Sequence, residues 1–591
     1  CEQAATDALF DSYTRPAPAG PVSPTAPRRL TVTRTFSIDG LPHVRDHCFY
    51  RQPPDWPHLT DRFPIIPMTA LLEMMIEEAR VLAPGRIPIG LRDVRALRWL
   101  AIEPAVEVTV NLTELADGAV RVEFKGYTRG TVVFADAYQP APEASTEPLL
   151  DLRPPPVSAA FLYDDRWMFH GPSYQGISEL GPISPAGLIG TVRAPDAPGA
   201  LLDSVGQLFG FWAIPFLFET GTSMLLPQGV GAVHFYGPQP PPGTPITSTF
   251  WIRETGEVTV KADLELRRAD GTVWARIDGW TDHRFANDDV LWAMRHPEVS
   301  TIAQPSADGW MFSYEHATDS ASRELISYHY LTAQGRARLS GHNPRAARQW
   351  LLGRIAAHDA VRRWLWDGGA GPVWAIEVEI DNEPSGRPVV ARMPARPGLP
   401  VAPPNVSIAH TAFVAVAMVH PDGEVGIDVE KVVPREPGVE AAGLTLAERS
   451  LLDWLAGDDP TTRALWFTRM WSAKEAAAKA DGTGLRGRPR SFVVDRVTDP
   501  VGDPATGSPG RLRVSIEGPD DPAAEASRVA GLGASRPGTP RHRWVAHRLV
   551  DPVGRPLAGP ADGDRFVVAW TSPEIERAAQ ESEDLREGVR E

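Results

Sequence analysis

Three carboxylates near two lysines mark the first place in this sequence where chemistry is possible. Asp428 and Glu430 lie in Gly426-Ile427-Asp428-Val429-Glu430, within an apolar/acidic alternation over residues 425–433 that reads as a strand. Side chains two apart on a strand share a face. Glu475 and Lys479 lie in Trp471-Ser472-Ala473-Lys474-Glu475-Ala476-Ala477-Ala478-Lys479. They are four apart and share a helix face. Asp459 and Pro460 can start that helix and Gly482 can end it. If strand and helix pack together, the three carboxylates meet. Hard oxygen ligands in that number suit Mg²⁺, which also binds through substrate phosphates. Lys474 and Lys479 would then flank the site as phosphate partners. The same residues also fit an exposed Glu475–Lys479 pair worth ~0.3 kcal/mol and a solvated strand face.

A second constellation lies in the first half. Asp203 and Gln207 are four apart in an otherwise apolar helical run, residues 201–209. A carboxyl there is costly unless it is hydrogen-bonded, and Gln207 is the natural partner. Burial would raise the carboxyl pKa, which suits a general acid. His47, ahead of a helix that Pro67 can start, is available as a base. The other reading is a polar pair in the core and a surface histidine.

A chain of 591 residues is too long for one ordinary core, so two to four domains are expected. Its 42% hydrophobic content is that of a globular protein. No apolar run approaches the ~20 residues of a membrane helix, and the start has no signal-peptide pattern. The first residues, Cys1-Glu2-Gln3, read like a cut through a longer chain. With only Cys1 and Cys48, no disulfide framework or cysteine zinc site is expected, and a cytoplasmic home follows. A net charge of −16 argues against nucleic acid as a partner.

The elements that must position these residues follow in order. Residues 1–28 are Pro/Ala-rich and read as a linker. Residues 30–38 read as a strand, 68–82 as a helix, and 106–113 and 120–128 as strands. A helix around 201–219 is followed by strands over 231–236, 247–253, 257–267 and 273–281. The first half thus reads twice as one long helix among antiparallel strands. Residues 286–310 read as a linker. Thr445 to Glu448 fits a capping box. Residues 499–540 read as a loop-rich insertion around a strand over 511–516. Closing strands follow over 542–549 and 564–570, then a charged tail over 576–591.

The pair Gly426–Glu430 and Trp471–Lys479 resembles the signature of the surfactin-type 4′-phosphopantetheinyl transferases. Asn343-Pro344, the run Gly353 to Arg362, Gly386-Arg387-Pro388 and Ser407-Ile408-Ala409-His410 fall in that family's order. The resemblance implies transfer of phosphopantetheine from coenzyme A to a carrier-protein serine. It implies Mg²⁺ on Asp428, Glu430 and Glu475, with Glu475 as base and Lys479 on the diphosphate. Arg354, Arg387 and His410 would lie at the 3′-phosphate and adenine end, and His358 replaces a lysine common there.

Asp46-His47, Pro67, Gly171-Pro172-Ser173-Tyr174-Gln175-Gly176 and Asp203-xxx-Gln207 are similar to the motifs of polyketide synthase dehydratase domains. By that resemblance His47 removes the C2 proton of a 3-hydroxyacyl thioester, Asp203 protonates the leaving hydroxyl and Gln207 holds Asp203. Two positions depart from the family. Arg51 replaces a glycine, and an insertion follows His47 before Pro67, which leaves a non-catalytic docking role open for this half. His170 stands where a tyrosine is usual and reads as a pocket wall.

Together the resemblances imply an α+β chain. A double hot-dog dehydratase over 29–285 precedes a pseudo-twofold transferase over 311–575, as in iterative type I polyketide synthases of enediyne type and polyunsaturated fatty acid synthases. The implied partners are coenzyme A and an acyl carrier protein, with neither nucleic acid nor membrane, and a homodimer through the dehydratase is admitted. Asp203-Ser204-Val205 is the nearest string to a carrier motif, but it belongs to the dehydratase helix, so no carrier is expected here.

Overall fold

The computed structural model describes residues 27–217, 223–286, 294–316, 320–396, 398, 402–499, 508–516, 541–557 and 563–588. All but the last two residues of the expected linker over 1–28, and most of the insertion over 499–540, lie outside them. Among the described residues, eleven strands form one antiparallel sheet in the first half. Its first unit runs Arg29–Phe36, Val106–Glu114, Val120–Phe124, Thr128–Ala135, Ile87–Ala96. Its second runs Ser223–Phe235, Val273–Ala286, Thr259–Arg268, Pro245–Thr255, Gly187–Arg193, Ile177–Ser184. The two units join where Ile87–Ala96 pairs with Ser223–Phe235, Leu91 opposite Val233.

Each unit wraps one helix. In the first it is α1, Met68–Ala79, which buries Leu71, Leu72 and Met75. Pro67, extended at φ −61° and ψ 149°, occupies its N-cap position. In the second it is α2, Ala200–Leu217. One continuous apolar core holds Leu72, Met75, Val205, Leu208 and Trp280. This is the double hot-dog arrangement. The expected strand over 120–128 is two strands, because Gly126 at φ +84° turns the chain between Phe124 and Thr128.

The second half is two sheet-and-helix units. A six-stranded sheet carries α3, Pro344–Asp367, and a five-stranded sheet carries α5, Pro460–Ala480. Asn343 caps α3 by accepting from Ala346 N–H, and Asp459 caps α5 by accepting from Thr462 N–H. Thr445 and Glu448 form the expected capping box on α4, Leu446–Ala456.

Two expected boundaries do not hold. Residues 294–310 are not a free linker: Met294, Ile302 and Ala303 are buried against α3. Asp359 accepts from Ile302 and Ala303 N–H, while Arg362, paired with Asp359 at 2.7 Å and fully buried, donates to the Ser300 carbonyl. A short acceptor/donor pair one helical turn apart thus fixes the segment. The charged tail is also anchored. Helix Pro573–Gly588 buries Ala579, and Glu576 accepts from Trp544 N–H.

The insertion after His47 packs onto the second half. Tyr50 stacks on Tyr328 with ring centroids 5.2 Å apart, and Phe63, Ile65 and Leu325 complete the cluster. Asp61, 1% exposed, accepts from Ala333 N–H at 2.8 Å and Arg336 at 3.0 Å. Gln52 donates to the Tyr328 carbonyl. No helix among the described residues is long and apolar enough to cross a membrane.

Candidate functional sites

The first site is a cavity of about 160 Å³ between α1 and α2, mostly apolar, lined by His47, His170, Asp203 and Gln207. His47 follows a 3-10 turn, and its Nδ1 lies 2.8 Å from the Ile65 carbonyl. A carbonyl only accepts, so Nδ1 carries the proton and Nε2 is left free as a base. That Nε2 faces Asp203 Oδ1 at 3.7 Å. Burial pulls the His47 pKa down to about 4, against the opposing pull of Asp203, so the ring is neutral at pH 7.

Gln207 is fixed at both ends. Its Nε2 donates to Asp203 Oδ2 at 2.9 Å and to the Tyr174 carbonyl, and its Oε1 accepts from Tyr163 Oη at 2.8 Å. His170 Nε2 lies 3.2 Å from Asp203 Oδ2. The expected upward shift of Asp203 is not found. Burial raises its pKa, but His170, His47 and the Gln207 hydrogen bond outweigh that and hold it below the ordinary carboxylate range.

His170 is thus part of the cluster as well as of the wall, which the sequence reading missed. The usable signal was Asp46. Its carboxylate accepts from Ser173 N–H at 2.9 Å and its carbonyl accepts from Gly171 N–H at 2.7 Å. These bonds tie the turn after His170 to the turn before His47, so the imidazoles come together with centroids 5.1 Å apart. Ser204 is fully buried, donating to the Tyr174 carbonyl and accepting from Gly176 N–H.

The second site lies where strand Gly426–Lys431 crosses α5. The crossing is close because Gly426 has no side chain: a Cβ there would fall 1.9 Å from the Ala476 carbonyl oxygen. Lys479 Nζ consequently reaches Asp428 Oδ1 at 2.8 Å and the Ile427 carbonyl at 3.1 Å. Asp428 is buried and its Oδ2 has no hydrogen-bonding partner among the described residues. Burial and Asp428 push the Glu430 pKa up to about 7, with Arg435 opposing and Glu475 adding. Burial and Asp428 also raise Glu475, against Lys479. Three carboxylates that repel one another, one with an orphaned oxygen, fit a divalent cation. Among the described residues their oxygens are less closely gathered than the polar atoms of His47, His170 and Asp203, which lie within 4.8 Å of one another.

Burial lowers the His410 pKa, with Lys479 adding and Asp428 opposing, so His410 belongs to this neighbourhood. A Cβ on Gly353 would lie 3.5 Å from its ring. Arg387 flanks the end of α5, with Nη1 3.7 Å from where a Cβ on Gly482 would stand, and it donates to Asn405. Arg354 stacks on Trp350 and donates to Asn382, leaving Nε and Nη1 unpartnered. Burial pulls its pKa down to about 10.

Lys474 does not join the site. It is fully buried, bonded to Glu448 at 2.8 Å and to the Gly443 and Pro489 carbonyls. One residue before Glu475 is about 100° round the helix, on the face that packs α4. His358 is also interior, with Nδ1 2.6 Å from the Arg354 carbonyl, and is no phosphate ligand.

Comparison with known proteins agrees with this division. Residues 141–291 match the polyketide synthase dehydratase N-terminal domain, and residues 424–516 match the 4′-phosphopantetheinyl transferase superfamily. The chain joins a polyketide-synthase-type dehydratase region to a phosphopantetheinyl transferase domain. Over 148 residues it is 25% identical to a polyunsaturated fatty acid synthase polypeptide of Thraustochytrium sp., covering 23% of this chain and 5% of that protein's length. Solved structures similar to it include the dehydratase domain of a mycocerosic acid synthase-like polyketide synthase. That match is 22% identical, covers 46% of this chain and 99% of that one, and has a TM-score of 0.34. A trans-AT polyketide synthase dehydratase domain from Brevibacillus brevis is 17% identical over 43% and 94%, with a TM-score of 0.35. His47 lies before the matched dehydratase segment, so its assignment rests on the cavity geometry.

Proposed function

We propose that the chain performs two reactions at a carrier protein: Mg²⁺-dependent loading of phosphopantetheine and dehydration of the loaded 3-hydroxyacyl thioester. The transferase reading rests on the orphaned Asp428 carboxylate oxygen beside Glu430, Glu475 and Lys479. Mg²⁺ held by Asp428, Glu430 and Glu475 would neutralise the coenzyme A diphosphate. Glu475, with its raised pKa, takes the proton of the carrier serine. The serine oxygen bonds the β-phosphorus, and adenosine 3′,5′-bisphosphate leaves with the bridging oxygen. Lys479 meets the charge on the leaving group, while His410, Arg387 and Arg354 line the approach of the adenine and 3′-phosphate end.

The dehydratase reading rests on a neutral His47 facing an Asp203 held by Gln207 in an apolar cavity. His47 Nε2 removes the C2 proton. The C2–H electrons form the C2=C3 bond, and the C3 hydroxyl leaves with a proton from the Asp203–His170 pair, giving water. His170 Nε2, 3.2 Å from Asp203 Oδ2, is the neighbour able to pass a proton to the carboxyl. The proton gained by His47 then returns to the pair. The burial of Met294, Ile302 and Ala303 against α3 supports a transferase part that begins by residue 294 rather than at 311.

The test incubates the full chain with coenzyme A, Mg²⁺ and an apo carrier protein and reads the carrier's mass. Gain of the phosphopantetheine mass, lost with EDTA or in Asp428→Ala and Glu475→Ala, is expected. Full transfer under any of these conditions refutes the metal assignment.

A further inference from the structure

The dehydratase cavity contains a titratable group that the proposed chemistry does not use. Asp282, 2% exposed, stands on strand Val273–Ala286 and lines the same cavity as His47 and Asp203. One carboxylate oxygen accepts from Trp280 Nε1 at 2.8 Å. The other has no partner among the described residues. Burial pushes the Asp282 pKa up to about 7, the Trp280 hydrogen bond offsets this only in part, and no charged side chain contributes.

Its place in the cavity is set by Trp280. A Cβ on Gly206 would lie 3.0 Å from the Trp280 ring, and Gly206 is three residues beyond Asp203 on α2. Asp282 is two residues past Trp280 on the same strand face, roughly 7 Å along it. Leu225 and Leu226 lead into Pro227, the register partner of Asp282 on the neighbouring strand, and with Ala213 and Ile214 they belong to the apolar part of the cavity wall. A carboxyl in such surroundings with an open oxygen costs stability unless something bonds to it. Among the described residues Asp282 bonds only to the Trp280 N–H, which leaves its second oxygen open to a partner that a ligand brings.

We propose that Asp282 is a recognition residue, bonding a polar group of the acyl-pantetheine substrate a few bonds from the carbons that lose water. Protonated, it donates to a carbonyl or hydroxyl oxygen. Ionised, it accepts from a hydroxyl or an amide N–H. That chemistry has two sources in a carrier-bound substrate: an oxygen farther along the acyl chain, or an amide of the pantetheine arm. The inference rests on the dehydratase reading of this cavity.

The test uses the full chain, wild type and Asp282→Leu, with Asp282→Ala read the same way where Leu impairs folding, and Asp282→Asn as the conservative variant. Three ligands that cannot dehydrate are titrated by calorimetry. They are a saturated acyl-pantetheine, the same chain with one keto oxygen beyond C4, and the saturated chain as its S-propyl thioester, which has no amide. Loss of about tenfold in affinity with Leu, kept to within about threefold by Asn, is expected for ligands that carry the partner group and for no others. A loss confined to the keto ligand assigns the acyl chain. A loss on both pantetheines but not on the propyl thioester assigns the amide. Unchanged affinity for all three, equal loss on all three, or no binding by the wild type overturns the proposal. Turnover of the 3-hydroxy counterparts is measured alongside. A wild type that discriminates among these ligands yet forms no alkene refutes the dehydratase reading and leaves the recognition role standing.

Discussion

Gly426→Ala tests whether the close crossing of strand and helix is what makes the transferase site. The new Cβ would stand 1.9 Å from the Ala476 carbonyl oxygen and 2.7 Å from Ala480 N. Both are helix backbone, which cannot rotate aside. An ordinary contact of about 3.4 Å requires strand and helix to separate by about 1.5 Å. That movement opens the 2.8 Å Lys479–Asp428 contact and carries Asp428 and Glu430 away from Glu475. Misplacement of reacting groups by ~1 Å costs on the order of 10²-fold in rate, so transfer should fall at least that far. Overpacking of this kind costs about 1–3 kcal/mol, so the domain should stay folded. The assay is the initial rate of carrier loading by mass, beside thermal unfolding of the same sample. Dehydration, carried by other strands, is the internal control and should be unchanged. Transfer within threefold of wild type would refute the argument that this crossing positions the carboxylates.

The remaining expectations concern the dehydratase cavity, the joint and the carrier. His47→Ala and Asp203→Ala should each remove alkene formation and leave phosphopantetheine transfer intact, checked on one preparation with both assays. With the folded His47 pKa near 4 against an unfolded 6.5, the unfolded chain binds more protons between those values. Stability of the dehydratase half should therefore rise with pH from about 4 to 6.5 and its His47-linked part should level off above, as read by urea unfolding at stepped pH. Asp61→Ala leaves Arg336 and Ala333 N–H without their buried acceptor, a loss of about 3–5 kcal/mol. It should split thermal unfolding into two transitions while both activities persist. Labelled coenzyme A should mark an added apo carrier and not the chain itself, because Ser204 is fully buried; label on Ser204 would overturn its assignment.

Much of the geometry of the two candidate sites was legible because it follows from short periods. Asp428 and Glu430 two apart on a strand, Glu475 and Lys479 four apart on a helix, and Asp203 and Gln207 four apart on another each need only local regularity. Capping residues fixed where two helices begin: Thr445 and Asp459 both act as read. Lys474 was misread because its sequence neighbourhood is that of the site while its side chain is not. A position one residue off a helix face is a different surface, and there Glu448 was waiting with a buried carboxylate. The direction of the Asp203 shift was missed for a different reason. Burial was foreseeable from the apolar run around it, but the second imidazole was not, since His170 reaches Asp203 only through the Asp46 bridge between two distant turns.

The insertion after His47 shows how a departure from a motif can mislead. Read along the chain, added residues before Pro67 look like damage to the loop that holds a catalytic histidine. In space they face the other way. His47 keeps its anchor on the Ile65 carbonyl, and the added residues put Tyr50, Gln52, Asp61 and Phe63 onto Tyr328, Ala333 and Arg336. A carboxylate as buried as Asp61 is costly without its partners, and both of them lie in the second half. The added residues therefore pack on the neighbouring domain while the His47 anchor is kept. Their shape answers a contact more than 270 residues away in the chain, which no local pattern could disclose.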